Sequence, residues 1–393
     1  MLNCFFGYSV VWMLILVLYN FKLSAFNQSL DAGLLLFILF TVVSSFLIGY
    51  FNKGKFKYAN RAVDYGLKPI ILIVVLFILN FIYAKSIPLF SILTGNSEYR
   101  EFNSIPILYV VLNGISFYYG INYFNAYLNL DKYKTRNLIC FLIINVLYLL
   151  VFSRSTILFL ITGALILYIM SKRESIVEGR KKVKKKKYAL IIISAFLILY
   201  LFGALGNVRS GLKYNDNSYI QRIGLYTNYP EFLPKQFMWS YSYLTSPLAN
   251  LNNNVLNHKD IDFNIRGVMS ELLNRTFSKQ LFPDLKYGEE AVLDVGIEKE
   301  YFSASTGYFL MYTYGGFVGL FIQYILLFII SYIQIRMLKN KCNEGKENCT
   351  FIILLLANVL MFFYNSLNTA TISWWLIINF VALLKKPKIK WRS

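Results

Sequence analysis

Residues 31–51 read DAGLLLFILFTVVSSFLIGYF, and residues 52–68, directly after them, read NKGKFKYANRAVDYGLK. After the opening aspartate the first stretch holds no charge. As a helix it spans about 30 Å, the thickness of a bilayer's hydrocarbon core. The second stretch carries Lys53, Lys55, Lys57, Arg61 and Lys68 against the single acid Asp64. An uncharged run that empties into a cationic loop is what a helix leaves behind when it exits a membrane on the cytoplasmic side.

The same alternation recurs outward from this pair. Ten apolar spans are expected, near 4–21, 31–51, 69–84, 105–128, 137–152, 155–171, 188–205, 304–335, 350–367 and 371–384. The span 304–335 is long, and its Gly- and Tyr-rich first third predicts a bend or an interfacial start. Basic residues fall in every second connection. Loops 52–68, 129–136 and 172–187, segment 336–349 and tail 385–393 together hold 26 Lys and Arg, whereas the alternate short loops hold only Lys22, Lys85, Arg100 and Arg154. That asymmetry predicts cytoplasmic basic loops and cytoplasmic termini. The N-terminus lacks a basic leader and a small-residue cleavage site, so a retained first helix is expected.

Composition agrees. The chain is 57% hydrophobic and only 15% charged, with mean hydropathy +0.50, against about 25% charged in soluble domains. The net charge of +20 lies between apolar spans rather than on a soluble face, which argues against nucleic acid as a partner. None of the four cysteines falls in the long connection 206–302, so no disulfide framework is expected there. Cys342 and Cys349 lack a nearby His and are expected to be two loose cytosolic thiols rather than a zinc knuckle.

One connection departs from the pattern. Residues 206–302 carry ten basic and eleven acidic residues on the expected outer side, with enough aromatic content to fold. Ile265, Val268, Met269, Leu272 and Leu273 recur at helical spacing and predict an amphipathic helix near 262–282, on the membrane or on the bundle. Pro230, Pro234, Pro247 and Pro283 are read as punctuation. No internal repeat is visible. A connection this long with its own structure is usually functional, the alternative being a passive cap. The expected organisation is seven helices over 1–205, one large outer loop over 206–302, and three helices with a cytoplasmic tail over 303–393.

No Asp, Glu, Lys, Arg or His lies inside any expected span, which disfavours an ion-coupled carrier. Walker, GxGxxG, HExxH and GxSxG patterns are absent, as is an Asp-x-Asp metal cluster. What remains is at the outer rim. Arg154 sits in a tight connection between two helices. Arg209, Arg222, Arg266 and Arg100 lie on the same side. Guanidinium grips phosphate in bidentate fashion, so arginines converging there suit a pyrophosphate on a lipid carrier, although each alone also serves as a headgroup anchor. His258, the chain's one histidine, together with Glu98, Glu101 and the loop carboxylates, offers a general base for an acceptor hydroxyl. Tyr241, Tyr243, Trp239 and Asn252 to Asn254 suit sugar rings. An interfacial aromatic belt is the competing reading for the tyrosines.

With Ser-Arg-Ser-Thr at 153–156, Gly-Asn-Val-Arg-Ser-Gly at 206–211, Tyr-Ser-Tyr-Leu-Thr-Ser-Pro-Leu-Ala-Asn-Leu at 241–251, Gly-x7-Gly-Gly-x2-Gly at 307–319 and one large late outer loop, the chain resembles the Wzy-type O-antigen polymerases. The resemblance implies an all-α, polytopic, GT-C-like glycosyltransferase of the bacterial inner membrane that needs neither cofactor nor metal. It implies transfer of an undecaprenyl-diphosphate-linked glycan onto a second lipid-linked repeat unit at the periplasmic face. Arg154 and Arg209 would then hold the diphosphate leaving group. Membrane lipid and a chain-length regulator protein are the other implied partners. O-antigen ligase and non-enzymatic lipid-linked glycan flippase are the competing functions. The long loop and uncharged span interiors speak against the flippase.

Overall fold

The structure is a computed structural model that describes residues 3–52, 58–93, 104, 105, 107–177, 196, 197, 199–208, 210, 212–226, 228–259, 261–277, 302, 304–340, 343–363 and 370–384. Among these there is no strand, only an isolated antiparallel bridge between Ser24 and Tyr226. The helices are α1 (Cys4–Asn20), α2 (Ala32–Phe51), α3 (Lys68–Ala84), α4 (Pro88–Leu93), α5 (Leu108–Asn129), α6 (Lys134–Leu150) and α7 (Arg154–Val177). They continue with α8 (Leu199–Val208), α9 (Ser218–Ile223), α10 (Phe237–Asn257), α11 (Ile265–Phe277), α12 (Phe309–Met337), α13 (Glu347–Val359) and α14 (Ala370–Leu384).

Local chemistry sets the ends. Asn3 accepts from Phe6 N–H to cap α1, and its amide donates to Gly49 O, which ties the start of α1 to the end of α2. Asp31 caps α2 by accepting from Gly33 and Leu34 N–H. Between α6 and α7, Phe152 N–H bonds Leu149 O and Ser153 N–H bonds Tyr148 O, with Phe152 at φ 59°. This is a Schellman turn with phenylalanine where glycine is usual.

The solvent logic is inverted relative to a water-soluble protein. Leu36, Phe40, Val43 and Leu47 of α2, Ile71, Val75 and Ile82 of α3, and Ile325 and Ile329 of α12 all point outward. Asn80, Asn122, Asn125, Gln334, Asn358 and Asn379 are buried. Water would not tolerate so continuous an apolar exterior, whereas lipid requires it. Three helices, within Ala32–Phe51, Ser155–Lys172 and Phe309–Met337, are long and apolar enough to cross a membrane, and five shorter apolar helices accompany them. The chain is a helical membrane protein.

At the centre stands α13, every residue of which from Asn348 to Asn358 is buried, packed on α1, α5, α7, α12 and α14. Gly7 of α1 permits the closest approach, since a Cβ there would lie 2.4 Å from Leu355 Cδ1. Polar seams join the helices: Asn358 donates to Ser331 Oγ (3.0 Å), Asn379 to Gln334 Oε1 (2.7 Å) and Thr350 to Asn379 Oδ1 (3.1 Å). Such bonds specify helix pairing where lipid supplies no hydrophobic drive between helices.

The bend expected in the first third of span 304–335 is present: the helix starts at Phe309 and breaks at Gly316, with φ 53° and ψ −143°, a conformation that needs glycine. Other expectations are corrected. The span near 350–367 ends as α-helix at Val359 and tightens into a 3₁₀ turn over Leu360–Phe362. Span 188–205 lies largely outside the described residues. Pro247 is not punctuation but sits inside α10, where burial on several sides holds the helix through it. Cys349 is no loose thiol: it is fully buried, accepts from Asn122 Nδ2 (2.9 Å) and donates to Tyr118 O. Cys342 lies outside the described residues.

The connections sort onto two ends. Residues 58–66, the 131–136 turn and segment 338–348 touch one another at one end. Residues 18–31, α9, α10 and residues 302–304 touch one another at the other. The loops expected on one side of the membrane thus cluster together, as do those expected on the other.

Candidate functional site

The site is built from α10 and α11, the two main helices of the long segment, laid against α12. Helix α10 is not a surface helix. Fifteen of its residues are buried, Tyr241 and Trp239 among them. The Tyr241 hydroxyl donates to Leu18 O (3.0 Å) and accepts from Leu23 N–H (3.2 Å) and the Asn27 amide. It therefore fastens α10 to the α1–α2 connection. Trp239 Nε1 donates to Asn207 Oδ1 (2.7 Å), and Gly206 leaves room for the indole, which a Cβ would meet at 2.8 Å. Tyr226, on the turn after α9, donates to Met238 O and shares a hydrogen bond with Ser242. Burial pushes its phenol pKa upward, so it stays neutral.

The amides expected to face sugar are stitched into the fold. Asn252 accepts from Asp31 N–H (2.8 Å) and donates to Ser29 O (3.1 Å). Asn254 donates to Phe309 O and Thr313 Oγ1. Tyr243 is half-buried amid Trp239, Phe202, Phe302 and Phe363.

Past the end of α10 the chemistry changes. His258 follows its last turn, half-buried, with its backbone carbonyl accepting from Tyr312 Oη (2.9 Å). Its Nδ1 is buried without a hydrogen-bond partner among the described residues. Helix α11 packs on the same stretch of α12. Asn264 N–H donates to Tyr314 O, a Cβ on Gly267 would meet the Tyr314 ring at 2.7 Å, and a Cβ on Gly315 would meet Val268 at 3.3 Å. The apolar stripe expected on this helix splits. Val268 is buried and Leu272 packs on the core, while Ile265 and Met269 are exposed. The inward face instead includes Ser270 and Glu271. Glu271 is the one buried charged residue among the described ones.

No protein-family model, curated protein or solved structure matches this chain.

Of the residues singled out in sequence, the structure brings Tyr241, Tyr243 and His258 onto one helix and its C-terminal end. Arg222 is exposed on α9, its guanidinium 5.9 Å from the Tyr219 ring centre, and Arg266 is exposed on α11. Arg154 is the first residue of α7 rather than part of a loop, and its side chain lies outside the description. Glu98, Arg100, Glu101 and Arg209 lie outside the described residues. Glu271 was not individually legible, though its place inside the apolar set at 265, 268, 269, 272 and 273 was the signal. Among the described residues no group of three His, Cys, Asp or Glu is placed to hold a metal.

Proposed function

We propose that this chain is a glycosyltransferase of the bacterial inner membrane that polymerises undecaprenyl-diphosphate-linked oligosaccharide repeat units into O-antigen or capsular polysaccharide at the periplasmic face. The proposed frame is a GT-C-like bundle of about ten spans with cytoplasmic termini. The observation that carries the reading is the burial of Glu271 on α11, a helix that packs on the same stretch of α12 that holds the His258 carbonyl. A buried carboxyl and a half-buried imidazole, gathered where the long segment meets the bundle, are more than a passive cap requires.

Glycosyl transfer of this kind breaks the anomeric carbon–diphosphate bond and forms a bond from that carbon to an acceptor oxygen. The acceptor proton goes to a base. Here His258, Glu271 or Glu98 takes that proton. Arg154 and Arg209 neutralise the departing diphosphate, and Arg100, Arg222 and Arg266 draw the anionic lipid carrier to the rim. The tyrosine and tryptophan of α10 hold the wall of the site in place. A chain-length regulator protein is the proposed protein partner.

The test is the surface glycan of a deletion strain. A polymerase deletion leaves single repeats on the lipid core, whereas a ligase deletion removes even those. Long chains persisting in the deletion strain would overturn the reading. Arg154→Ala and Arg209→Ala should each lower polymerisation about 100-fold or more at normal protein level, and Arg154→Lys should also be impaired. Full chain length in both alanine variants would remove the diphosphate-anchor role.

A further inference from the structure

Residues 58–66 link α2 to α3 at the end opposite Glu271 and His258, with no helix or strand of their own. They are nonetheless fastened along their whole length. The Tyr58 hydroxyl and the Asn129 amide exchange hydrogen bonds of 3.0 and 2.8 Å. Asn348, in the first turn of α13, grips Ala59 by both backbone groups, accepting from its N–H (2.9 Å) and donating to its C=O (2.8 Å). Further along, Tyr65 meets Tyr118 hydroxyl to hydroxyl at 3.0 Å, and Tyr123 donates to Gly66 O at 2.9 Å. On the outside, Arg61 bridges Glu344 (3.1 Å) and Glu347 (3.0 Å), and Arg136 pairs with Asp64. Gly345, at φ +84°, lets the backbones close up, since a Cβ there would lie 3.1 Å from Ala62 C.

Beneath this strap runs a polar stripe on one face of α5: Tyr118, Asn122, Asn125 and Asn129, at helical spacing. Asn348 also donates to Asn125 Oδ1 (2.9 Å), and Asn122 donates to Cys349 Sγ (2.9 Å). Two atoms of the stripe, Asn122 Oδ1 and Asn125 Nδ2, are buried with no hydrogen-bond partner among the described residues. Buried amide groups in that condition are costly, and water would satisfy them. The closed arrangement therefore leaves a demand that opening relieves. The outermost tie is weak: the Arg61 and Glu344 side chains are 53% and 55% exposed, in the range where ion pairs contribute little and salt weakens them, while Glu347 and Arg136 are more enclosed.

We propose that residues 58–66 are a releasable clasp, held down by Arg61 and Asn348, whose lifting opens the α5 stripe and Cys349 to the aqueous phase on that side. The proposal is independent of the glycosyl-transfer reading. Cys349 is the built-in reporter, because it adjoins the Asn348 clamp and is fully buried while the strap is down.

The experiment measures N-ethylmaleimide modification of Cys349 by mass spectrometry. It uses the full chain in detergent, with Cys4, Cys140 and Cys342 replaced by alanine. The parent should react slowly at low salt and faster at high salt. Arg61→Glu should raise the rate about tenfold at low salt and shrink or reverse its rise with salt, because salt screens the new repulsion from Glu344 and Glu347. Adding Glu344→Arg and Glu347→Arg to Arg61→Glu should bring the rate back toward the parent. Arg336→Ala, at the same end but off the strap, should leave the rate unchanged. Equal, salt-independent rates in all variants would make the strap a fixed cover. A rise in Arg336→Ala as large as in Arg61→Glu would mean general loosening. Either result overturns the clasp.

Discussion

At the end bearing residues 58–66, three ion pairs and a two-pronged asparagine clamp hold loop backbone down on the helix termini. The end bearing α10 is held by different means. Cohesion there comes from buried aromatic rings whose polar atoms reach backbone and amide groups: Trp239 to Asn207, Tyr241 to Leu18 and Leu23, Tyr226 to Met238. The ion pairs of the first kind are partly exposed and salt-sensitive. The second removes apolar surface from solvent and satisfies the polar atoms of Trp239, Tyr241 and Tyr226, so losing one member leaves both a cavity and orphaned partners. The contrast separates an end that can loosen from one that must keep its shape.

Trp239→Ala should strike hardest. It empties the space beside Gly206 and strands Asn207 Oδ1, for a loss of about 3–5 kcal/mol. Thermal unfolding in detergent would show it, and an effect under about 1 kcal/mol would break the comparison. Tyr241→Phe comes next, because it keeps the ring but abandons Leu18 O, Leu23 N–H and the Asn27 amide, at a cost of about 1–3 kcal/mol. The same assay reads it, and proteolysis of the 206–277 segment should quicken alongside. Arg61→Ala should be the mildest, below about 1 kcal/mol, with whatever effect it has disappearing in high salt. A salt-resistant loss there would mean that the two ends are held by the same means after all.

The helical, membrane-spanning character was legible from apolar runs such as 31–51, because bilayer thickness imposes length and composition together. The sorting of loops was legible from lysine and arginine counts for a similar reason. Helix α10 was not, since FMWSYSYLTSPLANLNNNVLN contains Pro247 and reads as an interrupted polar segment. Only tertiary burial on several faces makes it a helix. The roles of Asn252 and Asn254 were hidden for a related reason. An amide that serves a distant backbone looks in sequence like an amide that serves a ligand. Glu271 was masked by apolar neighbours at its own helical spacing, and Cys349 by proximity to a charged loop whose packing no local pattern encodes. Arg154 was placed to within one residue of a helix start by its tight connection, while a role in catalysis belongs to the proposal alone.

The position of α13 bears on how the molecule comes into being. Its main neighbours include α1, at the other extreme of the chain, with Gly7 seated against Leu355. A helix enclosed by α1, α5, α7 and α12 cannot be seated until those earlier helices have been synthesised. The earlier helices must therefore wait in the membrane around an unfilled centre, with Asn122, Asn125 and Ser331 facing one another or lipid rather than their eventual partners. Closure is then a late, long-range step, slow in the way that contacts between distant parts of a chain are slow. For a cell making this protein, the vulnerable interval lies between the emergence of α12 and the arrival of α13.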